Sequence, residues 1–243
     1  MAAQTGLRER KKQETRESIE AAARRLFALR GFERVTVAQV ARAAEVSEKT
    51  VFNYFPTKED LFYSRLESFE SDLLAAVRDR APGRTIVDAF RAFLLARRGV
   101  FGRLAGDDAA DELDELRTIT RIITQSPALL AREEHVFARL TASLATVLAE
   151  ETGRTSDDVE PHVVANALMG VHRALLDLVR RRTLAGEADF VRLARDVRIQ
   201  ATRAFSRLER GLAGYGVPRD EPADTEQHQE AFAFAGWRSR ARA

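Results

Sequence analysis

No cysteine occurs in this chain of 243 residues. That absence excludes a disulfide framework, a Cys-ligated zinc centre and a thiol nucleophile. Long apolar runs are missing too. No stretch approaches ~18 uninterrupted apolar residues, and Met1 to Gly6 has no apolar signal core. A cytoplasmic location is therefore expected, with no membrane partner. Proline numbers only six and glycine 13, few for an all-β protein with many turns. Histidine is scarce, and the four residues (His135, His162, His172 and His228) have no metal-ligand spacing. His162 and His172 fall on different faces of any helix that carries both. No phosphate-cradling glycine loop or nucleophile elbow is present. The acidic group Asp107, Asp108, Asp111, Glu112, Asp114 and Glu115 reads as a solvated helix start, favoured by the positive helix N-terminus. No metal, no cofactor and no enzymatic activity are expected.

What is present is helical. Apolar residues make up 45% of the chain and charged residues 31%, enough for a core under a well-solvated surface. Ile19, Ala22, Ala23, Leu26 and Phe27 recur at i, i+3, i+4, i+7 and i+8, the period of one buried helix face. Gly31 marks the end of that first helix. Thr36 with Gln39 forms a capping-box pattern for a short second helix. Ser47 can cap a third helix, Glu48 to Tyr54. Pro56 ends it, and Thr57 with Asp60 restarts a fourth, expected to run unbroken from about Lys58 to Arg80. Thr85 caps a fifth helix. A sixth covers about 108–125, and Pro127 sits at the first position of a seventh. The eighth and ninth end near Leu184 and Gly211. The fold class is all-α, with about nine helices: an N-terminal three-helix unit and a larger helical domain.

The net charge of +2 conceals a split. Residues 1–58 hold 12 Lys and Arg against seven Asp and Glu, so the rest of the chain carries three acidic charges in excess. All four lysines, Lys11, Lys12, Lys49 and Lys58, lie in that first segment. A basic module on a mildly acidic body suits a polyanion at the module alone.

Two short helices joined by a tight turn, behind a longer supporting helix, is the helix-turn-helix pattern. Its second helix enters the major groove with its N-terminal end foremost. Here Val46, Val51 and Phe55 fit the inner face. Glu48, Lys49, Thr50 and Asn53 point outward as short or flexible polar groups suited to base edges. Tyr54 and Lys58 stand where phosphate oxygens would pass. The run "ERVTVAQVARAAEVSEKTVFNYFPTKEDLF", residues 33–62, resembles the DNA-binding domain of the TetR/AcrR family of bacterial transcriptional regulators. The first helix, "ESIEAAARRLFALRGF", is similar to it as well.

The resemblance implies a DNA-binding domain over 14–57 and a regulatory and dimerisation domain over 58–213. It implies a homodimer on a palindromic double-stranded operator, most simply a repressor released by a small, mainly apolar effector. Carried onto this chain, the DNA-binding residues are Thr36, Ser47, Glu48, Lys49, Thr50, Phe52, Asn53, Tyr54 and Lys58. The chain departs from the family at two positions. Glu45 stands where the family commonly has glycine, at a turn position that favours positive φ. Phe52 stands where tyrosine is common, so a phosphate-reaching hydroxyl is missing and the ring can pack or meet a thymine methyl. Arg8 to Lys12 reads either as a flexible basic arm over 1–13 lying along DNA or as an ordinary solvated terminus.

Helices eight and nine form the dimer bundle in the family. The apolar stripes Val164, Leu168, Val171, Leu175, Val179 and Phe190, Leu193, Val197, Ala201, Ala204, Leu208 are the expected surface, although periodicity alone would face them to the chain's own core. The effector cavity is expected among Phe93, Phe101, Ile119, Ile123, Phe137, Asn166, Met169 and His172, with Phe90, Leu94, Leu116 and Leu140 as further apolar wall. Arg121, Gln125 and His135 are polar candidates, each more often a plain surface or core residue. Residues 214–243 read as a flexible tail, although Phe232, Phe234 and Trp237 are of a kind that docks. Two other classes stay open: an architectural DNA binder without a ligand, and a helical interaction protein with a degenerate N-terminal module.

Overall fold

A computed structural model describes residues 2–96, 109–155 and 157–211. Among these there is no strand. The ten helices are α1 (Ala2–Arg30), α2 (Val37–Ala43), α3 (Glu48–Tyr54), α4 (Lys58–Phe62), α5 (Arg65–Arg78), α6 (Ile86–Leu95), α7 (Ala109–Thr124), α8 (Pro127–Thr152), α9 (Val159–Leu184) and α10 (Phe190–Gly211). Phe101 and the tail expected over 214–243 lie outside the described residues.

Local sequence sets most of the boundaries. The Thr36 amide donates to Gln39 Oε1 at 3.1 Å while the Gln39 amide donates to Thr36 Oγ1 at 3.2 Å, a closed capping box. Thr57 and Asp60 repeat the device at α4. Ser47, Thr85 and Ser126 each accept the amide three residues on, at the starts of α3, α6 and α8. Gly31 ends α1 at φ +77°, with its amide donating to the Phe27 carbonyl at 2.8 Å.

Three expectations need correction. In place of a flexible arm over 1–13, α1 continues back to Ala2, and Arg8 to Lys12 are exposed residues of that helix. The stretch from Lys58 to Arg80 is two helices, broken at Tyr63 and Ser64. The break has a packing cause. Leu61 and Phe62 face one hydrophobic core, whereas Phe69, Leu73 and Val77 face another. The break at Tyr63 and Ser64 therefore falls between the residues of the two cores. The count accordingly rises from nine helices to ten. The N-terminal domain therefore reaches past residue 57, because α4 belongs to its core.

The first core gathers Ile19, Ala23, Phe27, Phe32, Val40, Val51, Phe55 and Leu61. Phe27 meets Phe32 at 5.3 Å between ring centroids, and Phe62 stands 5.8 Å from each. Ile122, Ile123 and Leu129, from the end of α7 and the start of α8, are buried in this same core. The second core lies between α5, α6, α8, α9 and α10 around Leu73, Phe90, Leu144, Leu168, Val197 and Phe205. The stripes expected at a dimer surface are part of it: Val164, Leu168, Leu175, Val179, Phe190, Leu193, Val197 and Ala201 are all buried within the chain. Each long helix thus turns its most regular apolar stripe inward, where it removes most area from water.

Glu45 has φ +56° and is the one non-glycine with positive φ among the described residues. It follows the C-cap of α2, and the Val46 amide beyond it donates to the Ala41 carbonyl at 3.0 Å. A side chain in that left-handed conformation costs roughly 1–2 kcal/mol, part of which glycine returns through its greater freedom in the unfolded chain. Glu45→Gly is expected to stabilise by about 0.5–1 kcal/mol and raise Tm by about 1–4 °C. Glu45→Val should lower it. Thermal melts of the two variants check this, and a lower Tm for the glycine variant would show that the turn is not strained.

Candidate DNA-binding surface and ligand cavity

The helix-turn-helix presents α3 on a rigid base. Val51 and Phe55 are buried at 1% and 2% exposure, and Arg16 of α1 lies over the Phe55 ring at 4.7 Å. From this base Ser47, Glu48, Lys49, Phe52 and Asn53 are exposed, while Thr50 and Tyr54 are half-buried. Ser47 Oγ and Thr50 Oγ1 lie 2.8 Å apart, in addition to the cap from the Thr50 amide at 3.0 Å. Phe52 is 47% exposed, an unusual position for a phenylalanine and one that leaves its ring available to a partner. Thr36 is exposed at the start of α2. Lys58 holds its ammonium 4.1 Å over the Phe32 ring, which fixes a positive charge beside the turn after α3. All nine residues expected to meet DNA are thus on the surface or at its edge, in one module.

Of the expected ligand residues that are described, some pack in the second core, two lie with the first, and one is exposed. His172 is buried between aromatic rings, with centroids 5.4 Å from both Phe69 and Phe137. Phe93 packs on Phe69 at 5.2 Å, and Met169 is buried in the same core. Asn166 is corrected: it is exposed on α9, and its amide donates to the His162 carbonyl at 2.7 Å. Arg121, Gln125 and His135 are exposed too. Ile119 and Ile123 belong to the N-terminal core rather than to the body. Their i, i+4 spacing shows burial but cannot show against which domain. Among the described residues no group of three or more His, Asp or Glu could hold a metal ion. No helix among them is long and apolar enough to cross a membrane.

Two further features have no signature in the sequence. One is a polar chain between the domains. The Tyr63 hydroxyl donates to the Leu129 carbonyl at 3.1 Å, and Arg132 of α8 pairs with Asp60 of α4. The neighbouring Glu133 is 8% exposed and is gripped by both terminal nitrogens of Arg180 on α9, one at 2.8 Å. Burial, and then the Glu133 carboxylate, hold the Tyr63 phenol well above its usual range. Removing either member of the Glu133–Arg180 pair would leave a largely buried charge uncompensated. The other feature is a cavity of about 490 Å³ between α1, α4 and α7. Phe27, Leu61, Phe62, Ile119, Ile122 and Ile123 form its apolar part, and Tyr63 and Thr118 line it as well.

Residues 19–64 match the family described as bacterial regulatory proteins, tetR family, and residues 95–213 match the MftR C-terminal domain. The HTH-type transcriptional regulator TcmR of Streptomyces glaucescens is 31% identical over 175 residues, covering 70% of this chain and 75% of TcmR. The chain belongs to the TetR family. MftR of Mycobacterium tuberculosis is 28% identical over 167 residues, 67% of this chain and 78% of its own. Among solved structures, a SmeT–triclosan complex superposes with a TM-score of 0.51 over 86% of this chain and all of that one, at 20% identity, which shows the shared fold. The relatives are transcriptional regulators, not enzymes. The first family match ends at Ser64, at the break between α4 and α5, and so agrees with the packing rather than with a boundary at residue 57.

Burial, followed by the positive Arg180, pushes the His172 imidazole down to about 3 from its usual 6.5. The folded protein therefore holds this residue neutral where the unfolded chain is already protonated. Its contribution to stability is complete above pH ~6.5 and falls away progressively toward pH 3. Tm measured across that window should drop as pH falls. His172→Phe, which keeps a ring between Phe69 and Phe137, should make the drop shallower by about one proton per chain. An unchanged slope in that variant would place the acid sensitivity elsewhere.

Proposed function

We propose that the protein is a homodimeric repressor that occludes a promoter by binding a palindromic operator and is released by a small, mainly apolar effector. The observation that carries the DNA half is the exposed surface of α3 on its buried base, set in a module with five basic charges in excess. Lys49 and Asn53 have the reach and hydrogen-bonding groups to read base edges. Thr36, Tyr54 and Lys58 flank the helix where they can hold phosphates and fix register. Phe52 meets the apolar methyl of thymine. The helical placement of Arg8 to Lys12 makes this segment a basic extension of α1 rather than a loose arm.

The dimer half rests on outward apolar residues. With the regular stripes buried, the outer faces of α9 and α10 still expose Val159, Val163, Leu184, Val191 and Ile199, at up to 72% exposure. Gly170 and Ala174 on the same outer face of α9 are small enough for a close helix crossing. A two-fold axis through this face pairs each patch with its own copy. It sets two α3 helices about one DNA turn apart, ~34–36 Å on a simple B-form site. The effector half is supported by SmeT, a protein of the same fold that is solved in complex with triclosan.

Selection from random duplexes should return a palindrome, and a labelled copy should shift as a complex of two chains. Lys49→Ala and Tyr54→Ala should each weaken binding about tenfold or more, consistent with ~1–3 kcal/mol for a good hydrogen-bonded partner on the DNA. Lys58→Ala, which removes a cation placed to hold a phosphate, should also flatten the log–log salt dependence by about 0.9. Intact affinity in the Lys49 and Tyr54 variants would point to a helical interaction protein instead. Tight operator binding that no small aromatic or apolar compound alters would remove the effector from the proposal. Val163→Glu with Ile199→Glu should give monomers in sedimentation and lose operator affinity, and a stable dimer of that variant would move the interface to another face.

A further inference from the structure

We infer that the exposed face of α10 is a docking surface, and that its occupant is an acidic segment of this same chain, residues 220–230. Arg195, Arg198, Arg203, Arg207 and Arg210 are all exposed on that helix. The two carboxylates of α10 are already engaged. Asp196 is held by Arg182 of α9 at 3.2 Å, and Glu209 by Arg91 of α6 at 2.9 Å. Arg195 comes only within 4.0 Å of that same Asp196, and the other four arginines have no ion pair among the described residues. Arg139, Arg154 and Arg173, also exposed on the larger domain, each have a glutamate partner. On α10, Arg195 and Arg198, Arg203 and Arg207, and Arg207 and Arg210 stand three or four residues apart, spacings at which like charges repel. An anion lying along them relieves that repulsion.

The complement follows in the sequence. Asp220, Glu221, Asp224, Glu226 and Glu230 place five carboxylates within eleven residues that hold no Lys or Arg. Gly211 is the last residue of α10, and Asp220 comes nine residues later. A nine-residue connection spans up to ~30 Å. Gly214, Gly216 and Pro218 lie within it and favour a turn over continued helix. The acidic segment, at up to ~36 Å when extended, is long enough to follow the ~22 Å of helix from Arg210 back to Arg195.

A second copy of the chain does not supply this complement. A two-fold axis brings forward its own like-charged α10, and like charges across an interface repel. The close crossing proposed for the dimer is centred on Gly170 and Ala174 of α9, and the acidic segment follows α10 beside it. A free polyanion must compete with a segment tethered at the end of the helix, for which short linkers give effective concentrations on the order of millimolar. Docking also decides where the chain is basic. With the α10 arginines covered, a polyanion meets exposed positive charge chiefly at the N-terminal module.

The chain has no cysteine, so one introduced pair reports on this contact without background. Thr202→Cys lies on the exposed face of α10, and Gln227→Cys lies in the acidic segment. The readout is the rate at which oxidised glutathione closes a disulfide between them in the full chain. Alkylation rates of the two single-cysteine chains correct for changes in thiol reactivity. A cross-link within one chain is expected, and mass on a non-reducing gel separates it from linked pairs of chains. Raising the salt from about 0.05 M to about 1 M should slow it about fivefold or more. Arg203→Glu with Arg207→Glu and Arg210→Glu should slow it as much at low salt. Adding Asp220→Lys, Glu221→Lys and Asp224→Lys to that variant should restore the rate. Circular dichroism melts confirm that each variant is folded; if the reversed helix is not, the salt series alone decides. A rate unchanged by salt, or by reversal in a folded variant, would overturn the proposal, and so would cross-links formed mainly between chains. No DNA is present, so these outcomes are independent of whether the chain binds an operator.

Discussion

The end of α7 and the start of α8 are inserted into the core of the DNA-binding domain, and the rest of the molecule is arranged around that insertion. Ile122, Ile123 and Leu129 are as buried among α1–α4 as that domain's own residues are. Polar contacts then lock the insertion from three sides. Ser126, the cap of α8, donates to Glu33; Tyr63 donates to Leu129; Arg132 pairs with Asp60. A small helix-turn-helix unit buries too little surface to be robust alone. Here it borrows core from the larger helical domain, so the packing beneath α3 includes α7 and α8. The same insertion forms one wall of the seam cavity.

The helical content and nearly all helix starts can be read from the sequence because their causes are local. A threonine three residues before a glutamine or an aspartate reports a cap wherever the helix later packs. The positive φ of Glu45 is legible for the same reason, since it follows from the geometry of one tight turn. What is not legible depends on partners remote in sequence. Leu61 and Leu73 look alike in a periodic pattern, yet they face different cores, and the break at Tyr63 and Ser64 follows from that difference. The stripes on α9 and α10 are as regular as a dimer seam, but regularity reports burial and not the identity of what covers it.

The candidate sites divide along the same line. Seven of the nine residues expected to face DNA, Ser47 to Tyr54, are the cap and body of α3, so local sequence sets their mutual placement, while Thr36 and Lys58 are held beside them by α2 and α4. The ligand candidates come from separate helices and share only polarity or size. Of them, Asn166 is exposed, and Ile119 and Ile123 belong to the other core. The polar link through Tyr63, Glu133 and Arg180 leaves no trace in the sequence, since a tyrosine, a glutamate and an arginine at these separations are ordinary until folding brings them together.

The contact between Ser47 and Thr50 makes these two hydroxyls one chemical unit. Whichever of them donates, a single proton is used between them, and the pair turns outward with one remaining donor and a shared set of lone pairs. The same oxygen of Ser47 also holds the first turn of α3. Helix initiation and surface chemistry are therefore tied at this point. A change at either position alters the hydrogen-bonding face of the other, so the effects of substitutions at Ser47 and Thr50 are expected not to add.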